Sequence, residues 1–256
     1  MDEVNKKIIF YLMKDFRYSQ RKIAKELNIS PPAVNYRVER MTKDKIIKRV
    51  ALYVNPNFYG KYHGYVSFPN VKEWKGEYVF KVNCIEHLNV YEVEADSMEA
   101  LKSKIDDMIA DLGEPEMIYF PEQTPYNPSI FDMKLLSVLK ENPTMTPVEL
   151  SERLKVSSKT VRRHLRYLYK KEFIRLVPIV DINSSGIIMY AVFTKKVEIA
   201  KKFFQSTMFR EVSDKNAGVF VNVGNSIQEV SDKIKKFREF DPEAQLMIAE
   251  SYDVGS

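Results

Sequence analysis

The side chains with the clearest binding chemistry recur at helical spacing in two stretches of the chain, 30–43 and 159–170. In the first stretch, a helix would place Val34, Val38 and Met41 on one face. The start of that helix and its opposite face carry mostly polar side chains, namely Ser30, Pro32, Asn35, Tyr36, Glu39, Arg40 and Lys43. Guanidinium and amide groups form paired hydrogen bonds with base edges, carboxylates accept from cytosine, and ammonium groups suit phosphates. This face is therefore a candidate surface for double-stranded DNA.

The second stretch repeats the arrangement with a stronger positive charge. Here Val161, Leu165 and Leu168 share the core face. The outward side chains are Lys159, Arg162, Arg163, Arg166, Tyr167 and Lys170. Between residues 155 and 175, eight basic residues face one acidic residue, Glu172. We therefore expect the first face to contribute more selectivity and the second more of the salt-dependent affinity.

A short helix and a tight turn precede each of these stretches. Ser19 can cap a helix that runs through Leu27, and Asn28-Ile29-Ser30 forms the turn. Pro31 and Pro32 are tolerated in the next helix because first-turn amides have no helical partner. Such a pair of helices projects its second member where it can enter a major groove. One basic surface helix could be an ordinary solvated face, but two in equivalent positions favour DNA binding.

The two stretches are equivalent because the chain is an internal duplication. Residues 5–48 align without a gap with residues 132–175, so that Leu12 falls on Leu139 and Ser30 on Ser157. Far downstream, Glu114-Pro115-Glu116 matches Asp241-Pro242-Glu243. The proline-rich segment 121–128 is the natural joint between the halves.

Downstream of each helical unit the apolar period shortens to that of strands. The predicted order is βαββαβ, although the matching helix of the first half, over Val71–Lys81, should be short or irregular because it contains Gly76 and β-branched residues. The predicted fold class is α+β, with two winged helix-turn-helix domains alternating with two ferredoxin-like (βαββαβ) domains. The predicted domain boundaries are 1–50, 51–124, 125–177 and 178–256. We expect the two sheets to pack against each other.

Composition sets limits on the class of protein. The chain has 256 residues, of which 45% are hydrophobic and 29% charged, with a net charge of +5. No apolar run approaches the ~20 residues that span a bilayer. The mixed charges of the first residues do not suggest a signal peptide, and Cys84 is the single cysteine. These features predict a cytoplasmic protein that does not bind a membrane.

The run QRKIAKELNISPPAVNYRVERMTKDKIIKR, within Asp2–Arg49, resembles the DNA-binding domain of the Lrp/AsnC (feast/famine) regulators. The second run, TPVELSERLKVSSKTVRRHLRYLYKKEFIR, resembles it more loosely. The resemblance implies transcription regulation, assembly through the α/β sheets and a homodimer of chains that are each a pseudo-dimer. It also leaves open a small-molecule effector. The family's glycine-rich effector loop is only partly matched, near Asn216 and Gly218, so no effector residue is assigned.

Three alternatives concern other kinds of site. Cys84 and His87 have metal-ligand spacing near His63, but strand alternation would place them on opposite faces, so we expect no metal and no cofactor. A siroheme-decarboxylase-like enzyme would share the fold, although the arginines here concentrate in the outward helices. An architectural protein that binds DNA without sequence preference would fit the cationic second face.

We expect His164, beside that face, to contact phosphate or to be plain surface.

Overall fold

The computed structural model of the protein describes residues 1–69, 72–85 and 88–255. The first half begins with three helices, continues through a long strand and a 3-10 turn, and ends in four strands and a helix. These elements are α1 (Glu3–Lys14), α2 (Gln20–Leu27), α3 (Pro31–Lys43), β1 (Ile47–Val54), the 3-10 turn (Pro56–Tyr59), β2 (Tyr62–Pro69), β3 (Phe80–Cys84), β4 (Leu88–Ala95), α4 (Met98–Leu112) and β5 (Met117–Tyr119).

The second half repeats this order. A short helix replaces the 3-10 turn, and an additional helix lies between the first two strands of the sheet. The elements are α5 (Ile130–Glu141), α6 (Pro147–Leu154), α7 (Ser158–Lys170), β6 (Ile174–Val180), α8 (Ile182–Ser185), β7 (Ile188–Thr194), α9 (Val197–Phe203), β8 (Met208–Ser213), β9 (Gly218–Gly224), α10 (Ile227–Phe237) and β10 (Gln245–Val254).

Both three-helix units begin their helices with side-chain caps. A serine, threonine or aspartate oxygen accepts a hydrogen bond from a backbone amide at each of the six helix starts, and these residues are Asp2, Ser19, Ser30, Ser129, Thr146 and Ser157. The turns match as well. Asn28 and Lys155 have φ of 53° and 54°, and Lys45 and Glu172 have φ of 60° and 55°. Since the members of each pair lie 127 residues apart, the duplication extends to the backbone of the turns.

Each three-helix unit packs against the other half of the chain. Ile8 of α1 belongs to the same buried cluster as Met189 of β7. Leu135 of α5 belongs to the same buried cluster as Leu52 of β1. Burial of this apolar surface is the main force that holds these elements together, so the two halves are interlocked and do not form separate globules.

An antiparallel ribbon of β1 and β6 joins the two units to the rest of the protein. Tyr53 pairs with Arg175 and Val54 with Ile174 in its register. Because β1 follows the first unit and β6 follows the second, the ribbon fixes both units to one element.

The remaining eight strands form one sheet in the order β5-β2-β4-β3-β10-β7-β9-β8. When the four strands of each half are numbered by their order in that half, they lie in the sheet in the order fourth, first, third, second. This order is the same in both halves. The halves meet at β10, whose first residues pair with β7 and whose last residues pair with β3. The two sheets are therefore joined edge to edge through β10. The sequence led us to expect two sheets packed against each other and did not predict this junction.

Helices cover one face of this sheet. In the first half, Leu101 and Ile105 of α4 pack on Phe68. In the second, α9 and α10 pack on β7 and β9 around Phe204 and Phe237. The opposite face of both halves lines a partly open cavity.

The first half lacks the helix that the sequence predicts over Val71–Lys81. Residues 72–79 form neither helix nor strand, β3 begins at Phe80, and Val71 lies outside the described residues. Side chains of β4 bond the backbone of this segment: Asn89 donates to the Lys72 carbonyl (3.1 Å), and the Trp74 amide donates to the Tyr91 hydroxyl (2.9 Å). The segment thus meets part of its hydrogen-bonding requirement without a helix. Among the residues described, no helix is long and apolar enough to cross a membrane.

Candidate nucleic-acid interface

The outer helix of the first unit, α3, is positioned by its cap and by its buried face. The Ser30 hydroxyl accepts from the Ala33 amide at 3.3 Å, as the sequence predicted. Val34 and Met41 are buried, and Val38 packs beside them in the same cluster. This fixes the rotation of the helix about its axis, and therefore determines which side chains face outward.

The outward face of α3 holds the side chains that the sequence placed there. Those at the surface are Ser30, Pro32, Tyr36, Glu39, Arg40 and Lys43, whereas Asn35 is half-buried. Tyr36 is 63% exposed, which is unusual for a large aromatic residue in a folded chain and leaves its ring open to a partner. Arg40 Nε lies 3.6 Å from an oxygen of Asp44, a weak exposed pair.

A hydrogen-bond chain orders the centre of this face. Gln20 of α2 donates its side-chain amide to Asn35 Oδ1, and Asn35 Nδ2 donates to Glu39 Oε1 at 2.7 Å. Both ends of the Asn35 amide are thereby occupied. Sequence reasoning named Asn35 and Glu39 but did not find Gln20, whose contact with Asn35 spans 15 residues.

The outer helix of the second unit, α7, presents an uncompensated positive surface. Ser157 caps it, and Val161 and Leu168 are buried. The six outward side chains that the sequence named are all exposed, namely Lys159, Arg162, Arg163, Arg166, Tyr167 and Lys170. Within the described part of the chain, none of their five cationic groups has an ion-pair partner within 4.0 Å. The Tyr167 ring lies 6.1 Å from that of Tyr126, so one side of it is covered.

Equivalent polar contacts anchor each outer helix to the first helix of its unit. In the first unit, Arg37 Nη1 donates to Asp2 (2.6 Å) and to Asn5 (2.8 Å). The hydrogen bond from Arg37, with the backbone amide of Asn5, lowers the pKa of Asp2 below its ordinary value of 3.8. This anchor was missed because a helical wheel considers one helix at a time.

In the second unit the same position carries a histidine. His164 Nδ1 lies 2.7 Å from Asp132 Oδ1, and Asp132 also accepts from Ser129 Oγ at 2.6 Å. His164 and Asp132 lie 127 residues after Arg37 and Asn5. The ring of His164 therefore holds α7 on α5, and the expectation that His164 is plain surface was wrong. The alternative expectation, a phosphate contact, stays a prediction.

The two units also touch each other. The Arg17 guanidinium, in the turn after α1, lies 3.6 Å from the centroid of the Tyr169 ring at the end of α7. Asp15 bonds the same guanidinium through two hydrogen bonds of 3.0 Å, which holds it in place. This contact adds to the ribbon in setting the relative position of α3 and α7.

The described part of the chain shows no cluster of metal-ligating side chains. Across residues 1–69, 72–85 and 88–255, no group of three or more His, Cys, Asp or Glu side chains could hold a metal ion. Cys84 is buried beside Leu88 and Met247, and His87 lies outside the described residues. His63 is buried with its Nδ1 2.6 Å from Glu92.

Two segments, residues 1–48 and 129–175, match the family described as winged helix-turn-helix DNA-binding. They contain α1–α3 and α5–α7. An uncharacterised HTH-type transcriptional regulator of Pyrococcus abyssi is 42% identical over 55 residues, which is 22% of this chain and 37% of that protein. The chain thus covers well under two thirds of that relative. The chain carries two winged helix-turn-helix DNA-binding units, and the resemblance to such regulators that the sequence predicted is confirmed.

Two solved structures are similar to this chain at low sequence identity. The siroheme decarboxylase NirDL is 12% identical, and the match covers 98% of this chain and 92% of that chain with a TM-score of 0.46. An AsnC family transcriptional regulator from Agrobacterium tumefaciens is 18% identical, over 51% of this chain and 96% of that chain, with a TM-score of 0.34. Neither likeness distinguishes a regulator from an enzyme.

Proposed function

We propose that this chain is a transcription regulator that reads an imperfect, asymmetric palindrome of double-stranded DNA through two unlike heads. The first head is α1–α3 and the second is α5–α7. One observation supports this most strongly. An exposed, polar helix recurs at equivalent positions of two units that both match a DNA-binding family. DNA recognition by such units places the second helix of each pair in a major groove.

The first head supplies selectivity in this proposal. Asn35 can pair with adenine and Glu39 can accept from cytosine. The amide of Asn35 is already bonded to Gln20 and Glu39, so a base must replace one of these partners. A base that offers matching donors and acceptors restores the lost hydrogen bond, whereas a mismatched base leaves it unmade, and this difference discriminates between sequences.

In this proposal the second head supplies most of the salt-dependent affinity for DNA. The arginines and lysines on the outward face of α7 have no ion-pair partner within 4.0 Å in the described chain, and they need not break an ion pair before they contact phosphates. Binding through such groups releases counterions and is steeply salt-dependent. The first head, by contrast, has Glu39 and Asp44 beside Arg40 and Lys43, so its net contribution to phosphate binding is smaller.

The ribbon and the Arg17–Tyr169 contact hold the two heads at a fixed separation. We therefore expect two half-sites about one helical turn, roughly 34–36 Å, apart on one face of the duplex. The α/β domains serve assembly. In this proposal the domains are 1–50, 51–124, 125–177 and 178–256, and two such chains pair as a homodimer in the cytoplasm. We propose a binding protein rather than an enzyme.

Selection of bound duplexes from a random-sequence pool, at near-physiological salt, tests the proposal. The expected result is two unlike half-sites about one turn, or ~10 base pairs, apart. Tyr36→Ala should alter the enriched bases of one half-site only, whereas Arg163→Ala should weaken binding to all duplexes alike and reduce its salt dependence. Lys134→Ala, on the exposed side of α5, serves as the matched control. Absence of any DNA binding by the folded chain would contradict the proposal.

A second candidate function is that of an architectural protein that binds DNA without sequence preference. The exposed cations of α7, which have no ion-pair partner in the described chain, favour it. Such a protein would retain steep salt dependence while binding unrelated duplexes equally. Enrichment of no sequence, combined with salt-sensitive binding, would favour this candidate over a sequence-specific regulator.

A further inference from the structure

A partly open cavity of about 110 Å³ lies between the strands of both halves and the β1–β6 ribbon. Most of its wall is apolar. The apolar side chains come from α1, from the first half of the sheet and from the second, and include Met13, Val82, Met189, Val221, Met247 and Ala249. Neither half could enclose this space alone. No residue of the outward faces of α3 and α7 is among the described residues that line the cavity, so the proposed DNA contacts do not use it.

Of the two arginines that line this largely apolar space, one is Arg175 of β6. Its Nε is buried and has no hydrogen-bond partner among the described residues. Burial, reinforced by the neighbouring Arg210, lowers the pKa of Arg175 to about 10. Since that value is well above 7, the guanidinium is charged at neutral pH.

The groups around Arg175 do not neutralise it. Burial raises the pKa of Tyr53 and of Tyr65 well above the ordinary value of 10.0, so both phenols are neutral. Of the described residues that line the cavity, Glu92 has the one carboxylate. That carboxylate accepts from the Tyr53 hydroxyl at 2.7 Å and lies 2.6 Å from His63 Nδ1.

The second arginine of the wall has its own partner. Arg210 Nη1 donates to Glu172 at 3.2 Å, at the turn between α7 and β6. Among the described residues, Arg175 is therefore the cavity arginine without an ion-pair partner, and its side chain is only partly exposed. A charge that is shielded from water and unpaired destabilises a folded chain, and an oppositely charged partner with matching geometry relieves this cost. A guanidinium fork matches a carboxylate through two parallel hydrogen bonds.

The size and lining of the cavity restrict that anion. An apolar protein cavity of ~150 Å³ holds benzene, so a cavity of 110 Å³ admits a ligand no larger than benzene. A free phosphate would leave most of its oxygens against apolar walls without donors. An ammonium group would be repelled by the two arginines, Arg175 and Arg210, that line the same cavity.

We propose that the cavity binds a short-chain aliphatic monocarboxylate, whose carboxylate pairs with Arg175 and whose alkyl group packs against side chains of both halves. The ligand would contact the ribbon that carries both heads, because Arg175 pairs with Tyr53 in its register. The inference does not depend on DNA binding and is tested without DNA.

Isothermal titration calorimetry of the full chain, in a buffer free of carboxylates, provides the test. The probes are isobutyrate, its neutral isostere isobutyramide, 2-aminoisobutyrate and inorganic phosphate. We expect saturable binding of isobutyrate, and binding at least about tenfold weaker of the other three, because a charge-assisted hydrogen bond to a buried group contributes one to two decades of affinity.

Three variants locate the binding. Arg175→Met keeps much of the side-chain volume and removes the charge, and should weaken isobutyrate binding by about 10- to 100-fold. Ala191→Leu leaves Arg175 in place and fills the cavity, and should also abolish binding. Arg153→Met, an exposed arginine paired with Glu141, should bind as the unaltered chain does. A circular dichroism melt of each variant confirms that it is folded.

The inference is overturned by any of four results: no saturable isobutyrate binding, undiminished binding by Arg175→Met, undiminished binding by Ala191→Leu, or binding of phosphate or 2-aminoisobutyrate as tight as that of isobutyrate. If one variant fails to fold, the other still decides the location.

Discussion

Replacing Arg163 and Arg166 together by alanine should flatten the salt dependence of DNA binding. Both guanidinium groups are exposed on α7, and neither has an acidic partner in the described chain. Each contact with a phosphate releases condensed counterions when it forms. Removing two such contacts removes that release and leaves the fold intact, because neither side chain is buried.

The size of the effect follows from the number of phosphates lost. Each neutralised phosphate contributes about 0.9 to the slope of log affinity against log salt concentration. The double variant should therefore lower the magnitude of the slope by about 1.8. Between 50 and 200 mM salt, the loss of affinity should then be about tenfold smaller than for the unaltered chain.

Fluorescence anisotropy with a labelled duplex, titrated at several salt concentrations, measures the slope directly. Tyr36→Ala is the matched comparison, since it removes an exposed side chain without charge from the first head. It should leave the slope unchanged and should reduce discrimination between the selected duplex and a scrambled one. An unaltered slope in the double variant, or an equal flattening in Tyr36→Ala, would refute the division of roles between the heads.

Three further predictions concern stability, measured by urea or thermal unfolding. Leu168→Ala should cost about 2–5 kcal/mol because it empties a fully buried position. Lys155→Gly should raise stability by up to about 1 kcal/mol because it relieves a left-handed backbone, whereas Lys134→Gly, within α5, should lower it by a similar amount. The lowered pKa of Asp2 makes its contribution to stability fully present above pH 3.8 and lost as the pH falls through its folded value, so Asp2→Asn should be less stable than the unaltered chain at pH 7, and the difference should shrink as the pH falls below 3.8. A stability gap that persists at low pH would show that the charge of Asp2, paired with Arg37, is not its cause.

Local signals predicted the helical units well. Ser19 and Ser30 do cap α2 and α3, and the outward residues of α3 and α7 are those of the helical wheel. Both features depend on neighbours within about one turn, which periodicity and capping describe directly. The duplication raised the value of each signal, because a feature repeated 127 residues later is unlikely to be accidental.

The features that sequence reasoning missed depend on contacts between distant residues. Residues 72–79 adopt an irregular path because Tyr91 and Asn89 satisfy part of their backbone, and neither partner is near in the sequence. The same holds for Arg17 on Tyr169 and for His164 with Asp132. The sequence alone could not distinguish Arg175, whose Nε has no hydrogen-bond partner in the described chain, from the other basic residues of the run 155–175. Only the fold separates it from the exposed cations of α7.

Fusion of the two halves makes possible an asymmetry that a symmetric homodimer could not have. β5 stops after three residues, whereas its counterpart β10 has ten. Pro121, which follows β5, has no amide hydrogen and cannot extend the ladder. The sheet is consequently continuous through β3 and β10, while on the other side Tyr119 donates a single hydrogen bond to Ala217 at 3.2 Å.

Fusion also allows the two heads to differ from each other. In a homodimer one substitution changes both recognition helices at once, because symmetry makes them identical. Here Arg37 and His164 occupy equivalent positions and anchor their helices through different chemistry, and the charge of α3 differs from that of α7. Each head can therefore be optimised for its own half-site. A base change in one half-site should accordingly be compensated by a substitution in one head alone, and the compensating substitution should have no effect when it is placed at the equivalent position of the other head.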